Sequence, residues 1–221
     1  APELEKKLGP YNPDHTHLVH NVGDADHFKQ ALDPELPVAE ELQQMDGPII
    51  GFVGAVSDYK LNSSWLIEAA RQRPDWNVVV IGPVGVADSS TDTQALEDQS
   101  NIHLLGYRDY ERLPSYLKGF DVATIPYNIN EYTRSVFPIK FFEYLATGTP
   151  TVISNLPAVK EHYDAVGVAR TADEFVQRCD EALETGRAGW EERVELAEQN
   201  SWDTKVADMM ELVEQRLASV N

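Results

Sequence analysis

Residues 49–85, IIGFVGAVSDYKLNSSWLIEAARQRPDWNVVVIGPVG, decide the fold of this protein. They contain two short apolar runs, at residues 49–53 and 77–81, with a helical pattern near residues 62–73 between them. An apolar run, an amphipathic helix and a second apolar run form the pattern of a β-α-β unit in a parallel sheet. The sequence therefore predicts an α/β fold.

The same alternation continues towards the C-terminus. Further apolar runs predict strands at residues 101–105, 121–126, 151–154 and 166–169. The segments between and after them predict helices near residues 91–98, 112–119, 138–147, 158–163 and 172–184. We therefore predict a Rossmann-like domain with a parallel sheet of about six strands flanked by helices.

Composition and patterning divide the chain into three segments. Residues 1–46 are polar and turn-rich, with one short apolar stretch around Leu18 and Val19, and we predict a linker with a short strand. Residues 47–185 hold the Rossmann-like domain. Residues 186–221 predict two acidic amphipathic helices, near residues 189–199 and 204–218, that pack on the domain or on a hinge.

The charge balance excludes several classes of partner. The chain has 18 Lys and Arg against 37 Asp and Glu, a net charge of -19, which repels nucleic acid and anionic membrane surfaces.

The single cysteine, Cys179, excludes an internal disulfide. No apolar run reaches the roughly 20 residues of a membrane span, and the first residues do not resemble a signal peptide, so we predict a cytoplasmic protein without membrane contact.

The turns after parallel strands are the expected places for a ligand. The turn after the first strand begins with Gly54, which lets the backbone approach a ligand, and ends with Lys60 at the entrance of a helix. Helix N-terminal amides and a lysine can converge on one phosphate. The alternative is a solvated surface lysine and a glycine that serves only the tight turn.

Residues 135–150, SVFPIKFFEYLATGTP, carry a second candidate site. Pro138 suits the first position of a helix about ten residues long, in which Lys140 and Glu143 lie three residues apart on one face. Two charges in so apolar a helix need a partner or a ligand, such as a phosphate for the lysine and sugar hydroxyls for the carboxylate. The alternative is a surface salt bridge between them.

Three histidines, His15, His17 and His20, raise the question of a metal site. No carboxylate or cysteine with ligand spacing accompanies them, so we predict no metal.

Several motifs of the chain, in the same order and spacing, resemble one known family. The chain from about Asn21 onward is similar to the C-terminal, donor-binding domain of retaining GT-B glycosyltransferases of the family 4 or glycosyl transferases group 1 type. The resemblance rests on Gly54 with Lys60 and on residues 20–28 (HNVGDADHF), 80–83 (VIGP), 101–107 (NIHLLGY), 113–117 (LPSYL), 121–127 (DVATIPY) and 140–152 (KFFEYLATGTPTV).

The resemblance implies roles for individual residues at a nucleotide-sugar site. Gly54 and Lys60 would contact the donor diphosphate, and Glu143 would bind the ribose hydroxyls, which makes Lys60 and Glu143 the predicted catalytic residues. The other predicted donor-binding residues are Gly82, Tyr107 beside the nucleobase, the stretch Ser135, Val136 and Phe137 for phosphate or sugar, Lys140, and, from loop position alone, Tyr127 and Arg134.

Three residues depart from the family pattern. Ala55 stands where the family usually has an arginine, which weakens the cationic clamp. Ser135 stands where the family has the first glutamate of a Glu-x7-Glu motif, so a usual contact to the donor sugar is altered. Pro138 replaces a glycine and removes an amide donor, although a subset of the family has the Pro-x-Lys-x-x-Glu-Tyr-Leu-Ala pattern found here.

The resemblance predicts that the chain binds a nucleoside diphosphate sugar, most readily a UDP-sugar, without a required cofactor. A hexose would be transferred with retention to a glycan or lipid-linked acceptor held by an N-terminal domain outside this chain, so this domain alone would be inactive. The full-length enzyme could then lie at the inner face of a membrane. Two alternatives stay open: a non-catalytic nucleotide-binding or scaffold domain, and part of a GT-B sugar-nucleotide epimerase. A dinucleotide dehydrogenase is disfavoured, because no Gly-x-Gly-x-x-Gly follows the first strand.

Overall fold

A parallel sheet of six strands forms the centre of the computed structural model, which describes residues 2–13, 16–85 and 91–220. The strand order is β3-β2-β1-β4-β5-β6, and every neighbouring pair is parallel. The predicted Rossmann-like α/β fold is therefore confirmed. The strands are β1 (Ile49–Val53), β2 (Asn77–Ile81), β3 (Ile102–Gly106), β4 (Val122–Ile125), β5 (Thr151–Ser154) and β6 (Gly167–Ala169).

The central strands are apolar because both of their faces are covered. All four residues of β4 and of β5 are buried, as are the first four of β1. The predicted strands at residues 49–53, 77–81 and 151–154 match the observed bounds. Strand β3 begins and ends one residue later than predicted, and its register with β2 shifts so that Ile81 pairs with Gly106.

Helices cover both faces of the sheet. The connections from β1 to β2 and from β4 to β5 run in opposite directions from the centre, so right-handed crossovers place α4 and α8 on opposite faces. Helix α9 packs on α4, whereas α10 and α2 pack on α8. The helices are α1 (Pro2–Leu8), α2 (Ala25–Lys29), α3 (Glu40–Gln43), α4 (Ser63–Gln72), α5 (Gln94–Glu97), α6 (Leu113–Lys118), α7 (Glu131–Ser135), α8 (Lys140–Ala146), α9 (Ala172–Thr185), α10 (Trp190–Gln199) and α11 (Trp202–Val220).

The N-terminal segment contains no strand in its described residues, 2–13 and 16–46, so the short strand predicted around Leu18 and Val19 is wrong. A two-residue apolar stretch gives little to bury, and the segment instead buries Val22, Ala25 and Phe28, two of which lie on α2 against α8. The domain boundaries after residues 46 and 185 remain predictions.

The two C-terminal helices differ in their packing. Helix α10 lies on α8, where Val194 and Ala197 are buried and the guanidinium of Arg193 donates to the carbonyl of Gly148. Helix α11 leaves Trp202, Met210 and other apolar side chains exposed. Within residues 2–13, 16–85 and 91–220, none of the helices combines the length and the apolar character that crossing a membrane requires.

The point at which the strand order reverses lies between β1 and β4. The chain leaves these neighbouring strands towards opposite faces, which opens a crevice at their carboxyl ends. The loop after β1, the loop after β4 and the start of α8 meet there.

Candidate functional site

Two loops at this crevice are joined by backbone and side-chain hydrogen bonds. The backbone amide of Asn128 donates to the carbonyl of Lys60 at 2.8 Å, and the amide of Asn62 donates to the carbonyl of Pro126 at 2.7 Å. The side-chain amide of Asn128 donates to the carbonyl of Asp58 at 2.8 Å. The loops after β1 and β4 therefore form one unit, which fixes the backbone that carries Lys60.

Lys60 points towards the aromatic ring that follows β4. Its Nζ lies 4.9 Å from the centroid of the Tyr127 ring, within cation-π range. Helix α4 begins at Ser63 with Asn62 as its N-cap residue, so Lys60 lies at the entrance of the helix, as predicted, and precedes its first turn. Lys60 ends a short turn in which the amides of Lys60 and Leu61 both donate to the carbonyl of Ser57. Its ammonium faces the crevice on the side of Tyr127.

Lys140, the first residue of α8, reaches the same tyrosine from the other side of the sheet. Its Nζ donates to the Tyr127 hydroxyl at 2.8 Å and lies 5.5 Å from the centroid of the Phe52 ring. Burial lowers the pKa of Lys140 to about 8, although the nearby Glu143 opposes this shift. No ion pair among the described residues joins Lys140 to Glu143, so the surface salt bridge considered from the sequence does not form.

Two glycines make the approach of Lys140 possible. A Cβ atom at Gly54, whose φ is +157°, would lie 2.8 Å from the Lys140 Nζ. A Cβ atom at Gly82, whose φ is +147°, would lie 2.1 Å from the carbonyl oxygen of Gly54. A side chain at Gly54 would displace the Lys140 ammonium or the Phe52 ring, and one at Gly82 would displace the loop after β1, so both predicted glycines shape the crevice.

Helix α8 is tied to the end of β1 through Tyr144. The Tyr144 hydroxyl accepts a hydrogen bond from the amide of Val53 at 2.8 Å and donates to the carbonyl of Val53 at 3.1 Å. Pro138 does not begin this helix, since α8 starts at Lys140 and the Pro138 carbonyl accepts from the amide of Phe141. The tie fixes the positions of Lys140 and Glu143 relative to the crevice.

Glu143 lies one helical turn after Lys140 and is half-buried. Burial raises the pKa of its carboxyl to about 7, with a further raising contribution from Asp24 and an opposing one from Lys140. Gly23 packs against it, because a Cβ atom there would lie 2.9 Å from the Glu143 amide nitrogen. No described residue donates a hydrogen bond to the Glu143 carboxylate. Its oxygens are therefore open acceptors.

A group beside Glu143 was not predicted as part of the site. The Asp24 carboxylate accepts from the amide of His27 at 3.1 Å and from the Tyr110 hydroxyl at 3.4 Å. The rings of His27 and Tyr110 stack at 4.3 Å. Burial and the nearby carboxylates of Asp24 and Glu143 raise the pKa of Tyr110. The Gly23-Asp24 pair before a short helix is a signal that could have drawn attention to this group.

Two predicted residues lie exposed at the rim. Tyr107 follows the end of β3 and is 66% exposed, and Arg134 is exposed on α7. Among the described residues, no hydrogen bond or ring contact joins either of them to Lys60 or Lys140. Helix α7 itself was not among the helices predicted from the sequence.

The side chains of the predicted donor-binding stretch 135–137 offer few groups that could bind a ligand. The Ser135 hydroxyl donates to the carbonyl of Glu131 at 3.2 Å, inside α7. Val136 is extended and half-buried. The Phe137 ring is buried against His20 and stacks on Phe142 at 5.3 Å. A ligand could use the backbone of this stretch and not the Phe137 ring.

Three histidines were considered for a metal site. His17 and His20 are described by the structure, and His15 lies outside the described residues. Within residues 2–13, 16–85 and 91–220, no group of three or more His, Cys, Asp or Glu is placed to hold a metal ion.

Comparison with known proteins identifies the family. The model of the family described as glycosyl transferases group 1 matches residues 47–185, which is more than half of the chain. The chain belongs to this family. The predicted family is thereby confirmed, and this chain is a glycosyltransferase domain of the GT-B type.

Three similar proteins illustrate the relationship. TuaH of Bacillus subtilis strain 168, named for teichuronic acid biosynthesis as a glycosyltransferase, is 29% identical over 215 residues, which cover 94% of this chain and 53% of TuaH. A glycosyltransferase structure from Rickettsia africae superposes with a TM-score of 0.77 at 15% identity, covering 98% of this chain and 62% of that one.

HepE of Anabaena in complex with UDP gives a TM-score of 0.72 at 16% identity, covering 90% of this chain and 57% of HepE. HepE has also been solved with UDP and glucose. These structural likenesses show the fold. The chain spans about half of the length of TuaH and somewhat more of the two structures.

Proposed function

We propose that this chain is the domain that binds the nucleotide-sugar donor in a hexosyltransferase, with a UDP-sugar as the donor. One observation carries the proposal: Lys60 and Lys140 converge on Tyr127 at the reversal of strand order, and no carboxylate forms an ion pair with either among the described residues. In a chain with a net charge of -19, two such cations mark a site for an anion.

The donor then lies along the crevice in a defined direction. Lys60 and Lys140 bind the diphosphate, with Gly54 and Gly82 allowing the backbone to come close. Glu143 accepts hydrogen bonds from the two ribose hydroxyls, since its carboxylate is open. Tyr107, at the end of β3, flanks the nucleobase on the far side.

The proposed chemistry is the departure of the diphosphate. The bond between the anomeric carbon and the β-phosphate oxygen breaks, and the electron pair stays on that oxygen. A hydroxyl oxygen of the acceptor forms the new bond to the anomeric carbon and passes its proton to the departing β-phosphate oxygen. Lys60 and Lys140 stabilise the charge that develops on the phosphate, which is electrostatic catalysis without a metal.

The acceptor and the stereochemistry extend the proposal beyond this chain. Because the chain spans 53% of TuaH, we assign the acceptor, a glycan or a lipid-linked sugar, to a second domain. The name of TuaH and the UDP bound by HepE support an envelope glycan and a UDP-sugar. We further propose transfer with retention in the cytoplasm, and no transfer by this chain alone.

The experiment is calorimetric titration of this chain with UDP, GDP and ADP, followed by UDP titration of Lys60→Ala and Glu143→Ala. We expect binding of UDP with a dissociation constant in the micromolar to sub-millimolar range. Both variants should weaken it. No heat with any of the three nucleotides, from a chain shown to be folded by circular dichroism, would contradict the proposal.

A second assay separates a transferase domain from a nucleotide-binding scaffold. The intact protein that contains this chain is incubated with UDP-glucose, UDP-galactose or UDP-glucuronate and a cell-envelope glycan fraction, and UDP release is measured. Turnover that Lys60→Ala abolishes supports the transferase. Nucleotide binding with no turnover of any donor favours the scaffold, for which the uncharged Ala55 and the occupied hydroxyl of Ser135 are the relevant observations.

A further inference from the structure

Two tyrosine rings stand exposed beside the cationic part of the crevice. Tyr59 is 38% exposed and Tyr132 is 46% exposed, so both residues keep part of their surface open to solvent. Their centroids are 5.4 Å apart with an interplanar angle of 74°, an edge-to-face pair. The two residues come from different loops, after β1 and after β4, so the tertiary structure creates this pair.

The backbone beneath the two rings is held in place. Asn130, the N-cap residue of α7, donates from its side-chain amide to the carbonyl of Tyr59. Its side-chain oxygen accepts from the amide of Thr133, and the Thr133 hydroxyl accepts from the Asn130 amide, which completes a capping box. The pair is therefore preorganised while its surface remains open, as in a binding site.

The position of the pair defines what it can contact. Tyr59 immediately precedes Lys60, and Tyr132 lies on α7, between β4 and α8 in the chain. With the nucleobase side at β3 and the diphosphate over β1 and β4, the pair stands at the diphosphate end of the crevice. The hexose of a nucleotide sugar is bonded directly to the β-phosphate, so a phosphate on Lys60 brings the sugar ring to this end.

We propose that Tyr59 and Tyr132 form a stacking platform for the hexose ring of the donor. This inference rests on the proposed function and names the residues that recognise the sugar. A pyranose has an apolar face of C–H groups that packs on an aromatic ring, and its hydroxyls can bond to a phenol at the edge.

The phenol hydroxyls near this pair are suited to hydrogen-bonding a neutral sugar. Burial raises the pKa of Tyr132 and of Tyr127, and Tyr59 contributes to both shifts, so these phenols stay protonated donors at neutral pH. Such a mixture of aromatic surface and a few phenol donors is typical of a pocket for a small ligand.

The test compares a nucleotide with and without its sugar. Titration of the chain with UDP, UDP-glucose, UDP-galactose and UDP-glucuronate gives the ratio of the UDP dissociation constant to that of the tightest UDP-sugar. We expect this ratio to be about 3 to 10 in the unmodified chain. In Tyr132→Ala and Tyr59→Ala it should fall to about 1, with the affinity for UDP itself changed by less than about 2-fold.

Two controls distinguish the possible failures. Tyr11→Ala removes a tyrosine that is 87% exposed and belongs to neither the loop after β1 nor α7, and it should leave the ratio unchanged. Tyr132→Phe keeps the ring and should retain most of the preference. A ratio that persists in both alanine variants overturns the platform while the nucleotide site stands. Loss of UDP binding by Tyr132→Ala in a folded chain also overturns it, whereas no UDP binding by the unmodified chain contradicts the proposed function instead.

Discussion

The two ends of the crevice carry charges of opposite sign, and each end places two like charges near a neutral phenol. At the cationic end, formed by Lys60, Lys140 and Tyr127, two ammonium groups share one neutral phenol. At the carboxylate end, formed by Glu143, Asp24 and Tyr110, two carboxylates lie near one neutral phenol. Helix α8 supplies one charge to each end, three residues apart.

This difference shows how one short helix can present a divided ligand site. Among the described residues, neither end neutralises its charge by an ion pair, although the ends are close enough for Lys140 to lower the pKa of Glu143. Partly buried charges without a partner are costly in an unliganded protein. A ligand with a diphosphate at one end and vicinal hydroxyls at the other would satisfy both.

The largest expected effect comes from removing a cation. Lys60→Met or Lys140→Met should weaken UDP binding by about 30-fold or more, because a charge-assisted hydrogen bond to phosphate is lost. Uridine, which lacks the diphosphate, should bind both variants as it binds the unmodified chain. Isothermal titration measures both ligands.

Lys160→Met is the matched control, since Lys160 is exposed and follows β5 outside the crevice. It should leave the UDP affinity unchanged. If it weakens UDP as much as the other two substitutions, the lysines act through the general field of the chain and the cationic end is not a specific site.

Glu143→Gln should affect only the carboxylate end of the crevice. We expect UDP to bind about 10-fold more weakly, because the amide accepts fewer hydrogen bonds from the ribose than the carboxylate does. Inorganic pyrophosphate should bind as well as before or better, since it contacts only the cationic end and the nearby negative charge is gone. A parallel loss for both ligands would mean that the two ends are not separate.

The pH dependence of UDP binding should be bell-shaped, with its maximum between about 7 and 8. Affinity falls below the pKa of Glu143, about 7, as that acceptor becomes protonated, and above the pKa of Lys140, about 8, as that cation is lost. One pH unit beyond either value should reduce affinity about 10-fold at most. Lys140→Met should abolish the alkaline fall, and Glu143→Gln should reduce the acidic fall to that of the ligand's own titration. A profile unchanged in both variants would refute this assignment.

The last prediction concerns stability and not binding. The pKa of Glu143 is raised from 4.5 to about 7 on folding, so its contribution to stability is full below 4.5 and is lost as pH rises through 7. Glu143→Gln should therefore increase the free energy of unfolding at pH 8, by about 3 kcal/mol at most, and leave it unchanged at pH 4.5 or below. Urea unfolding at the two pH values measures this. Equal effects at both would show that the substitution acts through packing.

The fold and part of the site were predictable for local reasons. The Val and Ile runs at residues 49–53 and 77–81 have few alternatives to buried parallel strands, and the Pro-x-Lys-x-x-Glu stretch placed Lys140 and Glu143 on one face of a helix. Helix α7 was missed because it is short and depends on Asn130, whose capping box and bond to the carbonyl of Tyr59 need the folded neighbour. The predicted strand at Leu18 failed because the sheet is complete without it.

The order of the six strands, the longer helices that follow them and the family could be read from the sequence, because hydrophobic periodicity and short motifs are local properties of the chain. Only the tertiary structure decided that Lys60 and Lys140, 80 residues apart, share Tyr127, and that Asp24 lies beside Glu143. It also decided that Tyr59 meets Tyr132. Such pairs depend on the reversal of strand order between β1 and β4, and no local pattern encodes which distant loops a sheet brings together.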